Sequence, residues 1–474
     1  MSLSQGADDG LWSPANRNLT VGLVLTITLV AFEALAISTV MPIVEQELGD
    51  IELYGWVFTA FMLGSLIGIV VAGGAIDRRG LGGPFAVGIG LFAAGLVIGG
   101  LAPSMAVLVG ARFIQGLGAG AIPPIAYVAI GRRLSERLRP QMFATMSTAW
   151  VLPGVMGPAI AGVVGETIGW RAVFLGLLPL IAVAGLIAYP AVRSVGPPEE
   201  MASGEAMASA SNRRRLPLAV LVAGGTGLLL AGLTTGEPII GVGLVGAGLI
   251  VTIIGLQRLT PVGTLRAARG LPAAVLMRGV LTFTFFGVDA YVALALVDWR
   301  GLSAIEAGIA LTAATLTWTG GSWIQARLAS RYPPEAFVRV GLAVVIVGLI
   351  AFAFILQPAI PVWLAVPTFG LAGLGMGLAY APLALIVLRE APEGEQGSAS
   401  AALSLLDSLG TAIGIGITGA LVAASVRATD SPATGLAAGF AVAISVGILG
   451  LALSTRLHRR VRDAAPTATA VSPT

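Results

Sequence analysis

The sequence predicts an all-α membrane protein with about fourteen spanning helices, and three observations carry that prediction. Apolar runs of about 20 residues recur from residue 19 to residue 456, each long enough for a ~30 Å hydrocarbon layer at about 1.5 Å per residue. Hydrophobic residues make up 56% of the 474-residue chain and charged residues 11%, against roughly 25% charged in soluble domains. The runs are continuously apolar and contain Gly and Pro, a pattern of membrane helices rather than of the short alternating strands of a β-barrel.

Taken in order, the spans fall at 19–41, 54–76, 84–102, 106–130, 141–165, 170–192, 216–235, 238–257, 271–297, 302–326, 336–356, 361–388, 397–425 and 435–456. Residues 1–18 are a polar tail, and the first apolar run is too long for the core of a cleaved signal peptide. Arg171, Arg300 and Arg427 fall on one side of the membrane and Arg112 and Arg278 inside spans. Every other arginine falls on the opposite side. By the positive-inside rule the Arg-rich side is cytoplasmic and holds both tails. Residues 193–215, with Gly196-Pro197-Pro198 and Arg213-Arg214-Arg215, read as a linker. The division is therefore a tail at 1–18, six helices at 19–192, the linker at 193–215, an inserted helix pair at 216–257, six helices at 271–456 and a tail at 457–474.

Missing residue types exclude whole classes of chemistry. There is no Cys and one His, His458, and the 27 basic residues are all Arg. Thiolate metal sites, cysteine nucleophiles and a Ser-His-Asp triad are thereby ruled out, as is a Walker loop with its Lys. No enzyme, metal or cofactor is expected. The basic pI of about 9.7 does not point to nucleic acid, because the arginines sort by membrane side; the bilayer is the expected partner. An all-Arg, Ala/Gly-rich chain suggests a GC-rich bacterial genome, and hence a bacterial inner membrane.

The chain also repeats itself. Gly116-Leu117-Gly118-Ala119-Gly120 returns 257 residues later as Gly373-Leu374-Gly375-Met376-Gly377, and at the same offset Gly157 meets Gly414 and Gly162 meets Gly419. Two six-helix units in one orientation, with substrate bound between them near the midplane, are a recurrent transporter plan.

Several motifs carry a family resemblance. Gly73-Gly74-Ala75-Ile76-Asp77-Arg78-Arg79-Gly80 follows the second span, with Leu81 and Gly82 where a basic pair is usual. Leu108 to Gly118 contains Arg112, Gln115 and Gly116, and the fifth span carries Gly157-Pro158-Ala159-Ile160-Ala161-Gly162. Trp170-Arg171-Ala172-Val173-Phe174 opens the sixth span, and Glu33 lies nine residues before Pro42. In these motifs the chain resembles the major facilitator superfamily, and specifically its fourteen-helix drug:proton antiporter branch, over about residues 19–456. The resemblance implies the major facilitator fold and proton-coupled export of hydrophobic or amphipathic, drug-like compounds by alternating access, energised by the proton gradient. Lipid or cell-envelope export on the same fold, and proton-coupled nutrient uptake, stay open.

Glu33, Arg112, Asp289 and Asp407 lie well inside spans, where a charge costs roughly 2.5 to 3.5 kcal/mol on insertion scales. Glu33 reads as a proton-coupling or cation-recognition carboxylate or as a structural hydrogen-bond partner between helices, Asp289 as a second protonation site or half of a gate, and Asp407 as a proton-coupling group or a packed hydrogen bond. Arg112 reads as a fixed counter-charge, since Arg does not lose its proton. Gln115, Trp150, Phe286, Tyr291, Trp318 and Tyr380 are candidate cavity residues. Asp77, Arg78, Arg79, Gly157 and Pro158 are candidates for a conformational gate. A monomer is expected, with a dimer through the Gly-rich pair at 216–257 as the alternative.

Overall fold

The computed structural model describes residues 10–50, 53–195, 205–235, 237–302 and 304–458. Residues 1–9, 196–204 and 459–474, which hold much of the expected tails and linker, lie outside the described residues. The described chain is helical throughout, with no strand among the described residues. In order its helices are α1 (Arg17–Leu48), α2 (Tyr54–Arg79), α3 (Gly82–Gly100), α4 (Met105–Arg133), α5 (Arg139–Thr148), α6 (Val151–Thr167), α7 (Trp170–Arg193), α8 (Glu205–Thr234) and α9 (Pro238–Leu259). They continue as α10 (Leu271–Asp289), α11 (Val292–Leu294), α12 (Ala304–Leu328), α13 (Pro334–Ala353), α14 (Ala365–Glu390), α15 (Gln396–Thr429) and α16 (Ala433–Leu453).

Twelve helical segments among the described residues are long and apolar enough to cross a membrane, where the sequence led us to expect fourteen. The two that fall short are helical all the same. The expected span 141–165 is divided at Ala149 and Trp150 into helices of 10 and 17 residues. The span at 302–326 becomes α12, whose Thr312, Thr315, Thr317, Thr319, Ser322 and Gln325 dilute its apolar content. A third expected span, 271–297, bends after Asp289 and resumes through α11 and a π-helical turn at Ala295–Trp299.

Small residues set the packing. A Cβ on Gly116 or Gly120 of α4 would collide with the Phe61 or Ser65 carbonyl oxygen of α2, so the two backbones touch. The arrangement recurs in the second set of helices, where Gly373 and Gly377 of α14 lie against Ala314 and Trp318 of α12. The internal repeat of the sequence is thus matched by a repeated contact. Helix α8 packs on α9 and also on both α2 and α15, with Gly227 against Leu63 and with Leu230 and Leu233 against Gly416.

Candidate functional site

The close approach of α4 to α2 fixes the first charged cluster. Arg112 donates from Nη1 to Glu33 of α1 and to Gln115 Oε1 at 2.7 Å, and from Nε to the Val57 carbonyl at 3.4 Å. Its guanidinium lies 4.3 Å from the centroid of the Phe61 ring. Glu33 and Gln115 are completely buried. Gln115, expected on a cavity wall, instead braces Arg112 one turn along the same helix. Removing one member of such a pair strands a buried charge at a cost of about 3 to 5 kcal/mol.

A second cluster forms among α10, α14 and α15. Tyr380 donates its hydroxyl to Asp407 Oδ2 at 3.0 Å, and Arg278 Nη1 lies 3.8 Å from Asp407 Oδ1. The Arg278 guanidinium stacks 3.5 Å from the centroid of the Tyr380 ring. Gly279 and Gly410 let α10 and α15 meet backbone to backbone, and Thr282 donates to the Asp407 carbonyl oxygen at 3.0 Å. Sequence reasoning registered Arg278 as a charge inside a span but gave it no role. Tyr127, which α4 brings into the same packed core as Tyr380, offered no signal.

The two clusters lie at different depths. Arg112 is about 10 Å from the start of α4 and Tyr127 about 9 Å from its Arg-rich end, counting the rise per residue. Aromatic side chains adjoin the second cluster through Tyr380. Phe285 stacks on Phe369 at 5.6 Å and meets Trp318 edge-on at 5.6 Å, while Phe286 and Tyr380 lie 6.2 and 5.4 Å from Trp318. Three of the expected cavity residues, Phe286, Trp318 and Tyr380, are therefore neighbours and partly exposed.

Asp289 stands apart. It ends α10, one turn beyond Phe285 and Phe286, is partly exposed, and has neither a hydrogen bond nor an ion pair among the described residues. Tyr291 just after it donates to the Ile415 carbonyl at 2.9 Å, pinning the bend to α15 rather than lining a wall. Trp150 is 46% exposed at the break between α5 and α6. Gly157 is buried against Phe32 and Leu35 of α1; Pro158 continues α6.

At the Arg-rich end, α2 meets α15. Asp77 accepts from the backbone N–H of Gly397 at 2.6 Å and of Ser398 at 2.8 Å, and from the Ser398 hydroxyl at 2.6 Å. It thus satisfies free N–H groups at a helix start, where a negative charge is favourable. Arg132 of α4 bonds Gln396 at 3.0 Å and lies 3.8 Å from Asp77. Alongside, Ser147 and Ser322 hydroxyls meet at 3.1 Å and Trp323 donates to Thr148 at 3.0 Å, joining α5 to α12. Arg78 is partly buried and Arg79 exposed. Towards the other end, Met156, Ile160 and Val163 on α6 and Ile309 and Leu316 on α12 are exposed.

Also at that other end, Glu47 near the end of α1 accepts from Trp170 Nε1 at 2.8 Å and from Arg171, which in turn donates to the Ala102 carbonyl at 3.1 Å. The Trp170-Arg171 pair thereby ties α1 and the α3 end to α7.

The profile described as Major Facilitator Superfamily matches residues 23–415. The chain belongs to the Major Facilitator Superfamily. It is a multi-pass membrane transporter and not an enzyme. Among curated relatives, a protein named as a probable multidrug-efflux transporter of Mycobacterium tuberculosis is 24% identical over 96% of this chain and 98% of its own. The methylenomycin A resistance protein of Bacillus subtilis is 26% identical over 77% of this chain and 79% of its own. Solved major facilitator structures share the fold. The human organic anion transporter MFSD10 matches with a TM-score of 0.67 at 15% identity over 93% of this chain and 100% of its own. The proton:xylose symporter XylE matches with 0.67 at 13% identity over 93% and 95%.

Proposed function

We propose that this facilitator is a proton-coupled antiporter that exports hydrophobic or amphipathic, drug-like compounds from the cytoplasm. The relatives named for multidrug efflux and drug resistance support export. In this reading α1–α7 and α10–α16 are two six-helix halves rocking around the aromatic group, and α8 and α9 are the inserted pair. The segments α5–α6 and α12 also cross the bilayer, which completes the fourteen-helix antiporter arrangement. The Arg-rich end and both tails face the cytoplasm of a bacterial inner membrane, no cofactor is used, and the working unit is a monomer. The latch at Asp77 then makes the described conformer closed to the cytoplasm.

The observation that carries the coupling is a count of interior charge. Arg112 balances Glu33 and Arg278 balances Asp407, whereas Asp289 has no counter-charge among the described residues. A lone carboxylate inside a span favours whichever single positive charge can reach it. Proton and cationic substrate compete there, one turn from Phe285 and Phe286, whose rings attract cations. Because a ligand shifts the inward and outward populations only by binding them differently, exclusive occupancy of Asp289 is what couples the two flows. The test is uptake of a lipophilic cationic dye into inverted vesicles under an imposed pH gradient. Export that ignores the gradient would remove the coupling claim.

A second reading, export of a lipid or cell-envelope component, is favoured by the apolar side chains that α6 and α12 leave exposed. Lipid analysis of a deletion strain, set beside its dye resistance, separates the two.

A further inference from the structure

A guanidinium with no exposure and no hydrogen bond is an unusual thing to hold in a membrane protein. Arg278 is completely buried, and its Nε, Nη1 and Nη2 all lack hydrogen-bond partners, as does Asp407 Oδ1 3.8 Å away. Arg112 at the other depth donates from Nε to Val57 and from Nη1 to Glu33 and Gln115, although Glu33 Oε2 and Gln115 Nε2 also lack partners there. An unpaired buried donor costs about 1 to 3 kcal/mol, more when charged. Arg278, with every nitrogen unpartnered, is therefore the guanidinium with more to gain from another conformer.

The surroundings say which motion matters. Arg278, Tyr380 and Asp407 all belong to α10–α16 and stay together when the halves rock, but Tyr127 comes from α4 of the other half. Tyr127 is itself buried, packed against Phe143 with ring centroids 5.5 Å apart. Along its helix it is nearer the Arg-rich end than Tyr380 or Asp407 is along theirs, by about 6 to 8 Å of helical rise. Just beyond it Gly131 packs on Leu388 of α14, so this part of α4 is a seam that must part when the latch at Asp77 opens. The titratable groups facing Asp407 among the described residues are Arg278, Tyr380 and Tyr127. Asp77 meets α15 only at its start, about 15 Å back along the helix. The described residues 216–233 of α8 and the whole of α16, which also pack on α15, contain no ionisable residue.

We propose that Arg278 is the positioning residue of a second, cytoplasm-facing charge site at Asp407, and that Tyr127 is its lid, contributed by the opposite half. In the closed conformer Tyr127 stands on the Arg-rich side of the cluster, in which Arg278 is buried and the Asp407 side chain is 28% exposed. When the halves part at the Arg-rich end Tyr127 withdraws, water enters, and Asp407 exchanges its proton with the cytoplasm while Arg278 keeps the emptied carboxylate balanced. This rests on the transport reading above and adds a gate and a side to it: Asp289 meets the proton or the substrate, and Asp407 communicates with the cytoplasm.

The experiment uses the absence of cysteine in the chain. Ser404, one turn from Asp407 towards the Arg-rich end and buried, becomes the sole thiol in Ser404→Cys, and the full-length protein is labelled from its cytoplasmic face with a membrane-impermeant maleimide. Tyr127→Ala is expected to raise the labelling rate about tenfold, the change that about 1.4 kcal/mol of lost closure brings, and Tyr127→Phe much less. Equal rates in all three proteins would overturn the lid.

The second arm measures the pH profile of dye binding. Arg278→Gln risks misfolding because it strands Asp407, so the neutral double variant Arg278→Leu/Asp407→Asn is compared with it; replacing both charges of a buried pair is commonly tolerated. The double variant and Arg278→Gln are expected to lose part of the pH dependence of binding, and Arg278→Lys to keep it. A folded double variant with the wild-type profile would reduce Arg278 and Asp407 to a structural bridge. If the wild-type protein moved no dye of any kind, the export reading would fall, and the labelling arm would still decide the lid.

Discussion

Asp77 accepts two hydrogen bonds from Ser398, one from its backbone N–H at 2.8 Å and one from its hydroxyl at 2.6 Å, and so fastens the end of α2 to the start of α15. Hydrogen bonds to a charged group contribute about 1.5 to 3 kcal/mol each at most sites. Losing even one of them moves the balance between conformers by roughly ten- to a hundredfold. Asp77→Ala is therefore expected to favour the conformer open at the Arg-rich end. Spin-label distances across the α2–α15 seam measure this, and an unchanged distance distribution would remove Asp77 from the gate.

The Glu33–Arg112 pair makes a stability prediction. Arg112→Met strands Glu33 and should lower thermal stability strongly, by an amount on the order of 3 kcal/mol. Adding Glu33→Gln removes the stranded charge and should recover much of the loss. Melting of the purified single and double variants checks it, and additive losses would mean that the two side chains do not act as a pair.

Asp289→Asn keeps the size of the side chain but removes its charge. The variant is expected to lose export of cationic dyes by more than about tenfold while retaining neutral lipophilic substrates, since a neutral compound has no charge to exchange at that position. Parallel export assays with one cationic and one neutral dye read the difference. Equal losses for both would indicate damage to the helix bend instead of lost charge recognition.

Glu47, outside the spans, has a pH signature. Hydrogen bonds from Arg171 and Trp170 hold its carboxyl below the ordinary value of 4.5. A lowered folded pKa means that its contribution is complete above the unfolded value and fades as pH falls through the folded one. The melting-temperature gap between wild type and Glu47→Gln should therefore persist at neutral pH and close in acid below about pH 4. A gap independent of pH would show that packing of Trp170, not the charge, links α1 to α7.

Much of the architecture was legible because a lipid solvent demands long apolar runs, and twelve segments meet that demand outright. The break at Ala149 and Trp150 has a local cause in Pro153, which has no N–H to return to the Ala149 carbonyl and whose ring crowds it, but inside a continuous apolar run a proline does not by itself end a span. Glu33 and Arg112 were legible one at a time as charges out of place. Their partnership, 79 residues apart in sequence, follows from how α1 and α4 cross, which no periodicity records. Gln115 looked like a cavity residue because it shares a helix face with Arg112, and for the same reason it is spent on bracing Arg112. Tyr127 carries no charge and breaks no pattern, so only the approach of α4 to α14 and α15 reveals it. The acid that stayed unpaired, Asp289, was visible from the start, but its isolation became visible only once the arginines had been assigned to the other two.

The most direct measurement of the coupling uses liposomes holding the full-length protein, a pH-sensitive dye inside, and equal pH on both sides. A gradient of lipophilic cation is then applied as the only driving force. The account predicts that the cation moves down its gradient while protons move the opposite way, so that internal pH changes in step with substrate and stays flat in protein-free liposomes. Transport of the cation with a static internal pH would contradict it.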